Sequence, residues 1–168
     1  MGLVLPPIEA YQVQHLPIVK AYADKIGLVE VINQVVPTEM AIDPGTIVLG
    51  MILDTLSGRS PLYRLEEFFA HQDTALLLGK AVAPSAFDDD TVGRILDRLY
   101  DTGTMKVFTA CAVRADQAFH FDKHYVHFDT TSVSVYGDYL PSEDQQDQQA
   151  AAPFTITHGY SKDKRPDL

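Results

Sequence analysis

Asp129 is the residue most open to chemistry. It lies within His127-Phe128-Asp129-Thr130-Thr131-Ser132, inside the stretch Tyr125 to Tyr136. That stretch is rich in Val, Thr, Tyr and Phe and holds neither Pro nor Gly, so it reads as a strand. Asp is disfavoured inside strands, and an unpaired carboxylate facing a core is costly. A metal ion, a cationic partner or solvent must compensate. Three histidines, His120, His124 and His127, fall close by. His127 and Asp129 would share one strand face, because residues two apart point the same way. The spacing matches no common zinc motif, and ordinary surface histidines are the simpler reading.

Asp88-Asp89-Asp90 is the other acidic cluster. At a helix start, carboxylates accept hydrogen bonds from free N–H groups and complement the dipole, so these residues read as caps rather than ligands. Cys111 is the lone cysteine. It excludes an intramolecular disulfide and a Cys-rich zinc site, and its apolar setting suits a small buried hydrophobe. A reducing, cytoplasmic location fits this cysteine usage.

The elements that must position these groups are mostly helical. Pro17 to Lys25 carries Ile18, Val19 and Tyr22 at helical spacing, with Gly27 as a C-cap. Leu28 to Val36 predicts a second helix, stopped by Pro37. Asp43-Pro44 starts a third, with Ile47, Val48, Met51, Ile52 and Leu56 on one face and Gly58 at its end. Ser60-Pro61 repeats the start signal ahead of Leu62, Leu65, Phe68 and Phe69. Leu76, Leu77 and Leu78 form an apolar patch before Gly79. Asp88 or Asp89 opens a helix with Val92, Ile95, Leu96 and Leu99 inward, broken at Gly103. Thr104 to Gln117 is the last helix, with Phe108, Cys111, Ala112 and Ala115 expected on its inner side.

The pattern changes after His120. Tyr125 to Tyr136 and Phe154 to Tyr160 read as two strands separated by the acidic, Gln-rich loop Ser142 to Gln149. The fold class expected is α+β: a mainly helical domain over residues 1–120, then a β-hairpin within residues 121–168.

At this point the residues resemble a known group. His127 to Asp138, reading HFDTTSVSVYGD, looks like the first catalytic strand of bacterial insertion-sequence transposases with an RNase H-like DDE domain. Thr157 to Leu168, reading THGYSKDKRPDL, resembles the segment at the second strand of that group. Phe87 to Tyr100 is similar to part of the helical domain that precedes the catalytic domain. The resemblance implies a truncated RNase H-like fold over residues 121–168. It also implies DNA transposition by metal-dependent phosphoryl transfer, with Asp129 as catalytic residue and ligand of Mg2+ or Mn2+. The family's second Asp and its Glu lie further downstream, and residues 1–168 stop before them. Asp163 and Asp167 sit in a charged turn beside Pro166 and do not obviously replace them. The fragment is therefore expected to be inactive by itself. The alternative is a non-enzymatic module that dimerises or binds transposon ends and regulates transposition.

Charge and composition limit the partners. The 168 residues carry 13 basic and 23 acidic side chains, a formal charge of −10. Residues 1–120 hold 9 basic and 15 acidic side chains and residues 121–168 hold 4 and 8, so neither part is a basic arm. DNA binding through bulk charge is excluded, and any contact with transposon-end DNA should be weak and salt-sensitive. A second copy or a full-length transposase is the expected protein partner, since a bare hairpin leaves an open strand edge. The helix pair joined at Gly103 resembles a helix-turn-helix in outline. Its second helix offers only Lys106, Arg114 and Gln117 for base or phosphate contact, which favours a packed scaffold. Arg59, Arg64, Arg94 and Arg98 are further candidates for DNA contact, with ion pairs to neighbouring acids as the plainer role. No apolar run reaches the roughly 20 residues of a membrane span, and Met1 to Pro7 lacks the features of a signal peptide.

Overall fold

In a computed structural model, residues 10–124 are described. Those up to Asp122 belong to a single compact unit, and a second unit begins at Lys123.

Helix α1 spans Leu16–Ile26, with Pro17 in its first turn, where a missing N–H costs nothing. Gly27 ends it at φ 71°, a left-handed turn that suits glycine, and its N–H bonds back to the carbonyls of Ala23 and Asp24. The same glycine precedes α2, Leu28–Val35, so two helices pivot on one residue. Helix α3, Pro44–Ser57, starts from Asp43, whose side chain accepts the Thr46 N–H.

A 3-10 turn over Leu62–Arg64 leads into the short α4, Leu65–Phe69. Asp73 caps α5, Thr74–Leu78, which stops at left-handed Gly79. A second 3-10 turn, Pro84–Phe87, precedes α6, Asp89–Thr102. Gly103 then joins α6 to α7, Thr104–Phe119.

Helix α3 is the central element. Its Ile47, Leu49 and Leu53 are fully buried, and α1, α2, α4, α5 and α6 all pack on it. Leu65, Phe69, Leu77, Phe87, Val92 and Ile95 close the main core around it. The Phe69 and Phe87 rings stack at 4.0 Å between centroids, and Phe68 meets Phe69 edge-on at 4.9 Å. A smaller cluster of Val31, Ile32, Val36 and Val107 fastens α7 to α2.

The α+β class is corrected by this architecture. All regular structure among the described residues is helical, and no strand or β-hairpin occurs among them. The two stretches read as strands, Tyr125 to Tyr136 and Phe154 to Tyr160, lie outside the described residues. Their assignment rested on Val, Thr, Tyr and Phe content. Such content reports a fit to a half-buried sheet and is a weak warrant for a lone hairpin.

Two helix faces also differ in phase from expectation. In α3, Leu49 and Leu53 are buried while Leu56 is half exposed. In α7, Val107 points inward, while Phe108 is 67% exposed and Ala112 is also exposed. Both helices are apolar on more than one side, so spacing alone does not select the inner one.

Candidate functional site

Several of the candidate residues lie on α6 and α7, which meet at Gly103. Asp88 caps α6: its carboxylate accepts the Thr91 N–H at 2.7 Å and the Thr91 hydroxyl at 3.0 Å. These hydrogen bonds hold the Asp88 carboxyl below its usual range, with Arg94 adding to the effect. Asp90 forms a loose exposed pair with Arg94 at 3.6 Å. The acidic triplet is thus a helix start, as its position in the sequence indicates. Among the described residues, no group of three His, Cys, Asp or Glu side chains is placed to hold a cation.

Helix α7 exposes apolar side chains beside Lys106, Arg114 and Gln117. Met105 is 72% exposed, and Val113 joins Phe108 among its exposed apolar residues. Tyr100, at the end of α6, is 70% exposed. Base readout needs donors and acceptors directed at base edges, and these side chains offer apolar surface instead.

An open groove of about 690 Å³ runs between α2 and α7. Val31, Gln34 and Val35 line one wall, and Met105, Thr109 and Val113 line the other. Lys106 and Arg114 border it, eight residues apart on one helix, hence roughly 12 Å apart along its axis. Neither forms an ion pair among the described residues. The Arg114 guanidinium lies close to Gly27, near the C-terminal end of α1, where a cation complements the helix dipole. Cys111 packs beside this groove against the smaller core, and burial pushes its thiol up. It acts there as a small apolar side chain.

The far end of α7 is tied down by aromatic contacts. Phe119 meets Tyr22 of α1 at 5.7 Å and Phe121 at 5.9 Å, and the Lys25 ammonium lies 4.7 Å from the Phe119 ring centre. His120 caps the helix in a left-handed conformation, its N–H bonded to the Asp116 carbonyl at 2.7 Å. That role is structural and was not read from the sequence.

A second, polar cleft of about 330 Å³ lies between the segment before α1 and the loop after α3. Gln12 and Gln14 line one side and Ser57, Arg59 and Ser60 the other. Gln14 and Arg59 hold left-handed backbones, at φ 47° and 58°. Gln72 Oε1 is buried there without a hydrogen-bond partner among the described residues. Nearby in the sequence, Asp54 is buried; its Oδ2 accepts the Ser60 N–H at 3.0 Å, and its Oδ1 has no partner among the described residues.

Of the other arginines, Arg64 pairs with Glu67 at 2.9 Å, and no described ion pair involves Arg59 or Arg98. His127 and Asp129 lie outside the described residues, as do Asp163 and Asp167. No helix among the described residues is long and apolar enough to cross a membrane.

A helical bundle domain with an open apolar groove is the class of structure these residues define. Residues 8–113 match the family described as a domain of unknown function, DUF4277, and the chain belongs to that family. The match covers α1 to α6 and the first part of α7, up to Val113. No curated protein and no solved structure matches the chain.

Proposed function

We propose that the chain is the N-terminal part of an insertion-sequence DDE transposase, whose complete form moves DNA by metal-dependent phosphoryl transfer at transposon ends. One observation carries this reading: the block His127 to Asp138 is followed, in the family's order, by the block Thr157 to Leu168. The DUF4277 match names no activity and does not conflict with it.

On this reading Asp129 is a ligand for Mg2+ or Mn2+, which would activate the attacking oxygen and stabilise the leaving one. A two-metal site needs several carboxylates, and residues 1–168 hold one at a family position. These residues alone therefore do not cut DNA. The helical domain serves assembly rather than sequence reading, because Met105, Phe108 and Val113 are exposed on α7 among few cations and the overall charge is strongly negative.

A second reading is favoured by that same α7 surface: a non-enzymatic module that controls transposition through protein contact. The two separate in a titration of the isotope-labelled chain with Mn2+, read by paramagnetic broadening in NMR. The transposase reading predicts saturable broadening centred on Asp129 and lost in Asp129→Ala. Broadening spread over the acidic surface and unchanged in Asp129→Ala overturns it and leaves the second reading.

A further inference from the structure

We infer that the polar cleft beside the start of α1 is a binding site for a nucleotide whose base carries an exocyclic amino group. The inference stands on the cleft itself and does not need the transposase reading.

Hydrogen-bonding groups collect in this cleft without partners. The carboxamides of Gln12, Gln14 and Gln72 line it, and none is hydrogen-bonded among the described residues. Gln72 Oε1 is also shut away from solvent. A buried acceptor left unpaired is costly, and an N–H donor brought by a ligand removes that cost. Arg59 is the one charged residue that lines the cleft, and no ion pair among the described residues involves it. In a chain of net charge −10, a free guanidinium among neutral amides marks a place for an anion.

The two sides of the cleft are preset. The Asp54 carboxylate accepts the Ser60 N–H, and the Asp54 carbonyl accepts the Arg59 N–H and the Ser57 hydroxyl, each at 3.0 Å. These bonds fix the loop that carries Arg59. Gln14 and Arg59, on opposite sides, both hold left-handed backbones, at φ 47° and 58°. Such conformations are strained away from glycine and cluster at ligand clamps.

Three demands define the ligand. Gln72 Oε1 calls for an N–H donor, Arg59 for an anion, and the half-buried ring of Phe68 for a flat apolar partner. An amino-bearing base meets the first and third, by hydrogen bonding to a carboxamide and by stacking on the ring. Its phosphate meets the second, through bidentate hydrogen bonds from Arg59. A volume of about 330 Å³ is at the small end of ligand sites and suits one nucleotide.

The test is an NMR titration of the labelled full chain with three probes. They are deoxyadenosine monophosphate, its derivative with both amino hydrogens replaced by methyl groups, and inorganic phosphate. The first should shift Gly58, Ser60 and the Gln72 side-chain amide in a saturable way. The methylated form should bind at least about fivefold more weakly, since it lacks the donor for Gln72. Arg59→Gln should weaken the nucleotide at least about tenfold and leave the melting temperature unchanged, because Arg59 is exposed and unpaired. Gln72→Leu should remove the preference for the amino form. A short single-stranded oligodeoxyadenylate separates the two sources of this chemistry. Tighter binding than the monomer at the same residues assigns the cleft to an unpaired nucleotide of a strand, and weaker binding assigns it to a free nucleotide. Equal binding of the two monomers, phosphate binding as tightly as the nucleotide, or no saturable shift in the cleft overturns the inference.

Discussion

Asn33 Oδ1 accepts a hydrogen bond from the Gly45 N–H at 2.7 Å, while the Asn33 amide donates to Asp43 Oδ1 at 2.9 Å. One side chain of α2 thus fixes both the cap and the first turn of α3, the helix around which the core forms. Gly45 sits so close to α2 that a Cβ there would lie 2.4 Å from the Val29 carbonyl oxygen and 2.7 Å from Val29 Cα. Both neighbours are backbone, so neither can rotate away. Gly45→Ala should therefore destabilise the fold by roughly 1–3 kcal/mol through overpacking. Asn33→Ala should cost about the same by leaving a partly buried N–H unpaired. Urea unfolding followed by circular dichroism measures both. A Gly45→Ala protein as stable as the parent would mean that α2 and α3 do not meet this closely.

Asp43 gives the fold a pH dependence of known sign. Partial burial pushes its carboxyl up, but hydrogen bonds from Lys80, Asn33 and Thr46 outweigh this and hold the pKa at about 2 against an ordinary 3.8. A carboxyl whose pKa falls on folding stabilises the folded state above its unfolded pKa. That contribution is complete above about pH 4 and is lost as the pH falls toward 2. Allowing for solvent screening at this partly exposed group, it amounts to about 1 kcal/mol. Asp43→Asn keeps a capping oxygen and removes the charge. It should be less stable than the parent by about that amount at pH 7, with the gap narrowing between pH 4 and pH 2. A gap that widened on acidification would contradict the assignment.

Gly50 plays the matching part on the other side of α3. A Cβ there would lie 2.9 Å from Phe87 Cε1 and 3.0 Å from Phe69 Cε2, so the stacked rings rest directly on the helix backbone. Gly50→Ala gains helix propensity but must separate the rings, and a net loss of roughly 1–3 kcal/mol is expected. Phe87→Ala should cost about 3–5 kcal/mol by leaving a cavity in the core. Thermal unfolding of the two variants checks the order. A Gly50→Ala protein more stable than its parent would show that propensity outweighs the crowding.

Helix starts and stops were the most legible features of the sequence. Asp43-Pro44 and Asp88-Asp89 mark α3 and α6, and Gly27, Gly58, Gly79 and Gly103 mark helix ends, because caps are local chemistry. The inner faces were harder. Phe108 and Ala112 fit a helical stripe as well as Val107 does, and only packing against α2 decides between them. The groove followed from that same ambiguity: a helix apolar on several sides with only one side packed leaves a surface for something else. The Asn33–Asp43–Gly45 junction was not legible, since it joins residues on two helices through side-chain hydrogen bonds that no periodicity reports. The α+β expectation came from composition after His120, and the helical structure of residues 10–124 gives it no support.

The most direct measurement of what α7 does is an NMR titration of the labelled chain with duplex DNA. DNA should leave Met105, Lys106, Thr109 and Val113 unmoved at moderate salt. Saturable DNA-induced shifts along α7 would contradict the proposed role of this helix in protein contact and restore it as a DNA-reading element.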